Sequence, residues 1–191
     1  WVFGVERTLS EAERESFFSA VDPFLETWAA HGATLTCGCD FRWGRFLLVA
    51  VDEASAPPSG CSIDAMVAVL RDQERRLGMR ILDNTPVWFV ENGDVKRMSR
   101  SEFRRLAEEG AVGPDTVVFD NTVTRLKDAR SGRWEGPVRA SWHQRAFFKH
   151  SEQPEPAGRA VFIRVGSRSL LQVPSVPHQF QTELGPLRQG S

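Results

Sequence analysis

Lysine is scarce in this 191-residue chain: Lys96, Lys127 and Lys149 stand alone among 24 basic residues. Arginine dominance of this kind is the habit of GC-rich coding, so it is not read as phosphate recognition. Cysteine is scarce too. Cys37, Cys39 and Cys61 are odd in number and too few for a disulfide framework, which points to a reducing, cytoplasmic compartment. No run approaches the roughly 18 apolar residues of a membrane helix, so no membrane partner is expected. A net charge of -1 gives the whole molecule no strong pull on nucleic acid or membrane. An initiator methionine is also missing, and Trp1 opens inside an expected strand, as after trimming.

What is present suits one globular domain. Hydrophobic residues make up 41% of the chain, with 13 Phe and 6 Trp, enough for a sizeable core. Charge is uneven along it. Residues 1–64 hold ten acidic and four basic side chains, and residues 121–150 hold two acidic and seven basic. Such a split neutralises itself across one fold or marks a basic surface.

The elements read as follows. Residues 1–5 form a strand. A capping box of Thr8 and Glu11 opens a helix to about His31, stopped by Gly32 and bent or split at Pro23. Residues 34–41 and 45–52 make a hairpin around Arg42-Trp43-Gly44. Phe46–Val51 is apolar on both faces, as in a central strand. A helix follows from about Ser62 to Leu77, ended by Gly78. Residues 86–90 and 95–98 flank the hairpin turn Asn92-Gly93. Ser99 and Glu102 cap a further helix to Glu109, and 116–119 is another strand. The order β-α-β-β-α-β predicts an α+β fold: a ferredoxin-like antiparallel sheet with helices on one face, with an added β-α-β unit. One domain is expected over 1–148. Residues 149–191 read as linker, a hairpin over 160–165 and 169–173, and tail. An isolated hairpin is marginal in water, so it would need a partner, including a second copy of the chain in a homo-oligomer.

The candidate site starts at Cys61, in Pro58-Ser59-Gly60-Cys61-Ser62-Ile63-Asp64. A thiol at a helix N-terminus is favoured as thiolate. It could act as nucleophile with His143 or His31 as base and Asp52, Glu53 or Asp64 as orienter. His143 is the better placed of the two, because His31 falls at the opposite end of the sheet. The plainer reading has Cys61 buried, Ser62 capping its helix and Asp64 in the first turn. Cys37-Gly38-Cys39 with Cys61 and His31 could supply four metal ligands, but C-x-C lacks the usual zinc knuckle, and no metal or cofactor is expected. Arg125, Lys127, Arg130, Arg133, Arg139, Arg145 and Lys149 interleave with Trp134, Trp142, Phe147 and Phe148, a pattern that can hold a single nucleic-acid strand by charge and stacking.

Six segments carry a resemblance. They are Trp28–Gly32, Arg45–Glu53, Ser59–Asp64, Leu82-Asp83, Val118–Asn121 and Ser141–Arg145. Together they resemble a small family of Bacteroidetes-type bacteria whose members often bear the name "ABC transporter ATPase". The resemblance spans about residues 1–148. It departs after Arg145, where Ala146 precedes Phe147 and the family pattern runs Arg-Phe-Phe. The ATPase that the name implies needs G-x-x-x-x-G-K-[ST], and none of the three lysines follows such a loop. The expected function is therefore binding of a protein or small ligand at a surface near Cys61, Asp52 and His143, with Glu53, Ser62, Asp64, Trp142 and Arg145 around it. A Cys61–His143 enzyme and a single-strand nucleic-acid binder are the alternatives.

Overall fold

A computed structural model describes residues 1–148 of the chain. The expected linker, the hairpin over 160–173, the tail and any oligomer contact through them lie outside the described residues.

The chain opens with β1 (Val2–Gly4) and α1 (Glu11–Thr27). The cap of α1 is Ser10, not Thr8: its hydroxyl accepts from the Glu13 amide, and the Glu13 carboxylate accepts from the Ser10 amide. Pro23 lies within α1 without ending it. The helix stops at Thr27, short of the expected His31, where Trp28 turns extended with φ -64° and ψ 123°; further on, His31 and Gly32 take φ of 52° and 81°. That left-handed pair turns β2 (Ala29–Ala30) onto β3 (Ala33–Thr34). β4 (Cys37–Arg42) and β5 (Phe46–Val51) follow as the expected hairpin, with positive φ at Trp43 and Gly44. α2 (Gly60–Leu77) ends at left-handed Gly78. β6 (Val87–Glu91), β7 (Asp94–Met98), α3 (Arg100–Glu108) and β8 (Val117–Phe119) fall close to where turn and cap chemistry put them. α4 (Leu126–Arg130), β9 (Glu135–Pro137) and α5 (Trp142–Phe147) complete the described fold.

The architecture is α+β with antiparallel sheets. The first larger sheet has strand order β1-β5-β4 and the second β7-β6-β8-β9. β6, the strand expected to complete a single ferredoxin-like sheet, instead bonds to β7 and β8. Strand alternation explains the separation. Phe3, Val5, Leu47 and Val49 point to one side and pack with Phe17, Val21 and Leu25 of α1 and Met66 and Leu70 of α2. Val2 and Phe46 point to the other side and meet Trp88, Val95, Phe119 and Trp134. Val87, Phe89 and Val118 face away from these and pack on Phe103 of α3 and Phe147 of α5. The layers therefore run helices, sheet, sheet, helices. β5 is apolar on both faces because one face meets helices and the other meets a second sheet. Phe46 sits 4.5 Å from Phe119 and 5.1 Å from Trp88 between ring centroids, in the middle of this inner seam. The backbone comes so near at Gly4 that a Cβ there would lie 2.5 Å from the Trp88 ring.

Candidate functional site

The sequence-predicted residues divide into three groups in space. Cys61 is exposed in the first turn of α2. The cap of that helix is Ser59, whose hydroxyl accepts from the Ser62 amide. Ser62 is buried: its hydroxyl accepts from the Ser59 amide and donates to the Ser59 carbonyl, both at 2.8 Å. Its carbonyl accepts from the indole N–H of Trp28 at 2.8 Å. Every polar group of Ser62 that could meet a ligand is thus used to start α2 and anchor it to α1. Asp64 is exposed on the same first turns.

His143 lies in the opposite outer layer. It is buried on α5, stacked on Trp142 with 3.9 Å between centroids, and 3.0 Å from the Ser141 hydroxyl at Nδ1. Burial, aided by the Arg100 charge, pushes its pKa down to about 4 against the pull of Asp120. It is neutral at neutral pH. Trp142 donates its indole N–H to Asp120 at 3.0 Å and carries the Arg100 guanidinium over its ring. Arg145 is exposed on the same helix. The structure does not bring Cys61 and His143 together, because both sheets stand between α2 and α5. The aromatics expected to interleave with the basic residues are mostly interior: Trp134 and Phe147 are buried, and Trp142 is held by Asp120. Arg133 and Arg139 pair with Asp128 and Asp115.

Asp52 and Glu53 form the third group, and they sit at a cleft of about 1070 Å³. Its floor is the inner face of the first sheet beyond the Phe46 seam, at Val2, Leu48, Ala50 and Gly38. Its roof is the segment 121–130. Two small residues make the space. Gly38 and Ala50 are cross-strand partners, and nothing lies within 4 Å of where a Gly38 Cβ would be. Apolar and charged groups share the lining. Leu126, with 46% of its surface exposed, is at the roof, and Val123 and Ala129 lie beneath it. Asp52 and Glu53 follow the end of β5, Arg125 precedes α4 and Arg130 is its last residue. None of these four makes an ion pair among the described residues, whereas Asp40 and Arg42 in the same lining pair at 2.7 Å. The Asp52 carboxylate accepts from the Ala54 amide at 3.0 Å, which fixes the turn carrying Glu53.

Gly38, Ala50 and Leu126 were not singled out as site residues from the sequence, and Arg130 was read only as one of the basic residues of 125–149. One signal was present: a glycine inside a strand marks a bulge or a close approach of another group. Among the described residues no group of three or more His, Cys, Asp or Glu could hold a metal ion, and no helix is long and apolar enough to cross a membrane. No protein-family model, no curated protein and no solved structure matches this chain.

Proposed function

We propose that this chain is a binding module that takes its ligand in the cleft between the first sheet and the segment 121–130. The observation that carries the reading is the polarised lining: carboxylates of Asp52 and Glu53 on one wall and guanidinium groups of Arg125 and Arg130 on the other, none of them ion-paired among the described residues, with an apolar floor between them. Unpaired charges beside exposed apolar surface are poorly used by water and well used by a ligand with an apolar body and polar ends. In this reading Glu53 keeps the binding role read from the sequence, Asp52 serves binding and not catalysis, and Cys61 and His143 take no part. The three free cysteines fit a reducing, cytoplasmic setting.

The test uses 8-anilinonaphthalene-1-sulfonate, an apolar dye with one anionic group. Dye fluorescence should rise on the folded protein and fall back with Gly38→Leu, which fills the floor. Both proteins should melt cooperatively, so that dye uptake by a loosened core is excluded. Equal dye binding by wild type and Gly38→Leu would refute the cleft as the ligand site.

A further inference from the structure

The cleft borders a sheet edge that has no strand partner among the described residues. β4 is the outer strand of its sheet. The backbone of β5 alternates between its neighbours: the Val5 amide donates to the Arg45 carbonyl and the Val49 amide to the Trp1 carbonyl, on the β1 side, while the Asp52 amide donates to the Thr36 carbonyl on the β4 side. Antiparallel pairing then commits the groups of Gly38, Asp40 and Arg42 to β5 and turns the N–H and C=O of Cys37, Cys39 and Phe41 outward. None of these outward groups has a backbone partner among the described residues. Gly38, Cys39 and Asp40 are exposed, and β4 contains no proline or lysine to blunt its edge.

The same strand lines the cleft. Its even-numbered residues look onto the floor, and its Cys37 end, opposite Val51, lies beside Asp52 and Glu53. An open edge supplies main-chain hydrogen bonds, and an adjoining cleft receives alternate side chains; together these are the two halves of strand addition. The volume, at the upper end of the range for small-molecule pockets, suits a segment of chain. From this we infer that the ligand is an extended peptide that adds to β4 as a further strand. It lays alternate apolar side chains over Gly38 and Ala50, sets a basic side chain against Asp52 and Glu53, and offers an acidic one to Arg125 and Arg130. The inference rests on the cleft being the ligand site.

The experiment pans a display library of random nonapeptides against the full chain and follows an enriched, fluorescein-labelled peptide by polarisation. Enriched sequences should alternate apolar residues and carry both a basic and an acidic residue. Cys39→Pro removes one outward donor at an edge position where proline is tolerated, and should weaken binding about tenfold, while Cys39→Val should leave it within about twofold. Amide exchange gives a readout free of any folding defect: bound peptide should slow exchange at Cys37, Cys39 and Phe41. Loss of binding with Gly38→Leu, without an effect of Cys39→Pro and without slowed exchange, would overturn strand addition and leave the cleft reading in place. Failure to enrich any peptide would overturn the inference too, with dye binding then showing whether the cleft still takes a small apolar anion. Peptide binding indifferent to Gly38→Leu would refute the cleft reading itself.

Discussion

The indole N–H of Trp43, at the tip of the β4–β5 hairpin, donates to the Glu135 carboxylate of β9 at 3.1 Å. The same ring meets Phe119 edge-on at 5.7 Å, and the neighbouring Arg42 lies over the Trp134 ring. These contacts tie the two sheets at one end, while the cleft opens between the first sheet and the segment 121–130. Trp43→Ala should therefore cost about 1–2 kcal/mol, and Glu135→Gln less than about 1 kcal/mol, because the bond is solvent-exposed. Urea melts of both variants check the order. A larger loss for Glu135→Gln would show that charge, not ring packing, does the tying.

Gly4→Ala should destabilise by roughly 1–3 kcal/mol, since the added methyl would enter the Trp88 ring and the seam has no slack. The double variant Gly4→Ala, Trp88→Leu should lose less than the two single changes together. Strict additivity in thermal or denaturant melts would mean that the two sites do not touch.

Acid should weaken the fold through His143 before it does so through the carboxylates. The folded pKa of this histidine lies near 4, below its ordinary 6.5, so between these values the unfolded chain binds a proton that the folded one refuses. Its contribution is fully present above pH 6.5 and is lost as pH falls toward 4, by about 3 kcal/mol in all. Glu13, Asp83 and Glu102 are held below their ordinary values by hydrogen bonds from Arg7, Thr85 and Ser99 respectively, so their losses begin lower, as pH falls through the carboxylate range. Stability measured in urea from pH 7 to 4.5 should slope downward in wild type and flatten in His143→Phe. An unchanged slope would place the titrating group elsewhere.

Cys61→Ser should leave the melt within about 0.5 kcal/mol and dye binding unchanged, because the thiol is exposed and outside the cleft. Ser59→Ala at the neighbouring cap should cost about 1 kcal/mol. Dye binding lost with Cys61→Ser would return that thiol to the site.

Local chemistry made much of this fold legible. Asn92-Gly93, Trp43-Gly44, Gly78 and the Ser99–Glu102 box each act within four residues, so sequence neighbours suffice to read them. The doubly apolar Phe46–Val51 announced a central strand for the same reason. What covers its second face was not legible, because Val87–Val90 is apolar on both faces and states only that it is buried, not against what. Pairing β6 with β1 in one sheet would have put α2 and α5 near each other. A second sheet separates them, and with them Cys61 and His143. The place of Asp52 and Glu53 at the cleft was legible because it follows from the end of one strand alone. The arginines opposite them arrive through docking of a segment some seventy residues away in sequence, which no local pattern records.

The open space above Gly38 makes this position a built-in gauge. Its φ lies outside the left-handed range, and a Cβ there would meet nothing within 4 Å. Alanine, valine and leucine at residue 38 therefore narrow the cleft in steps, with little strain on the scaffold. The step at which affinity collapses measures the girth of whatever this protein holds.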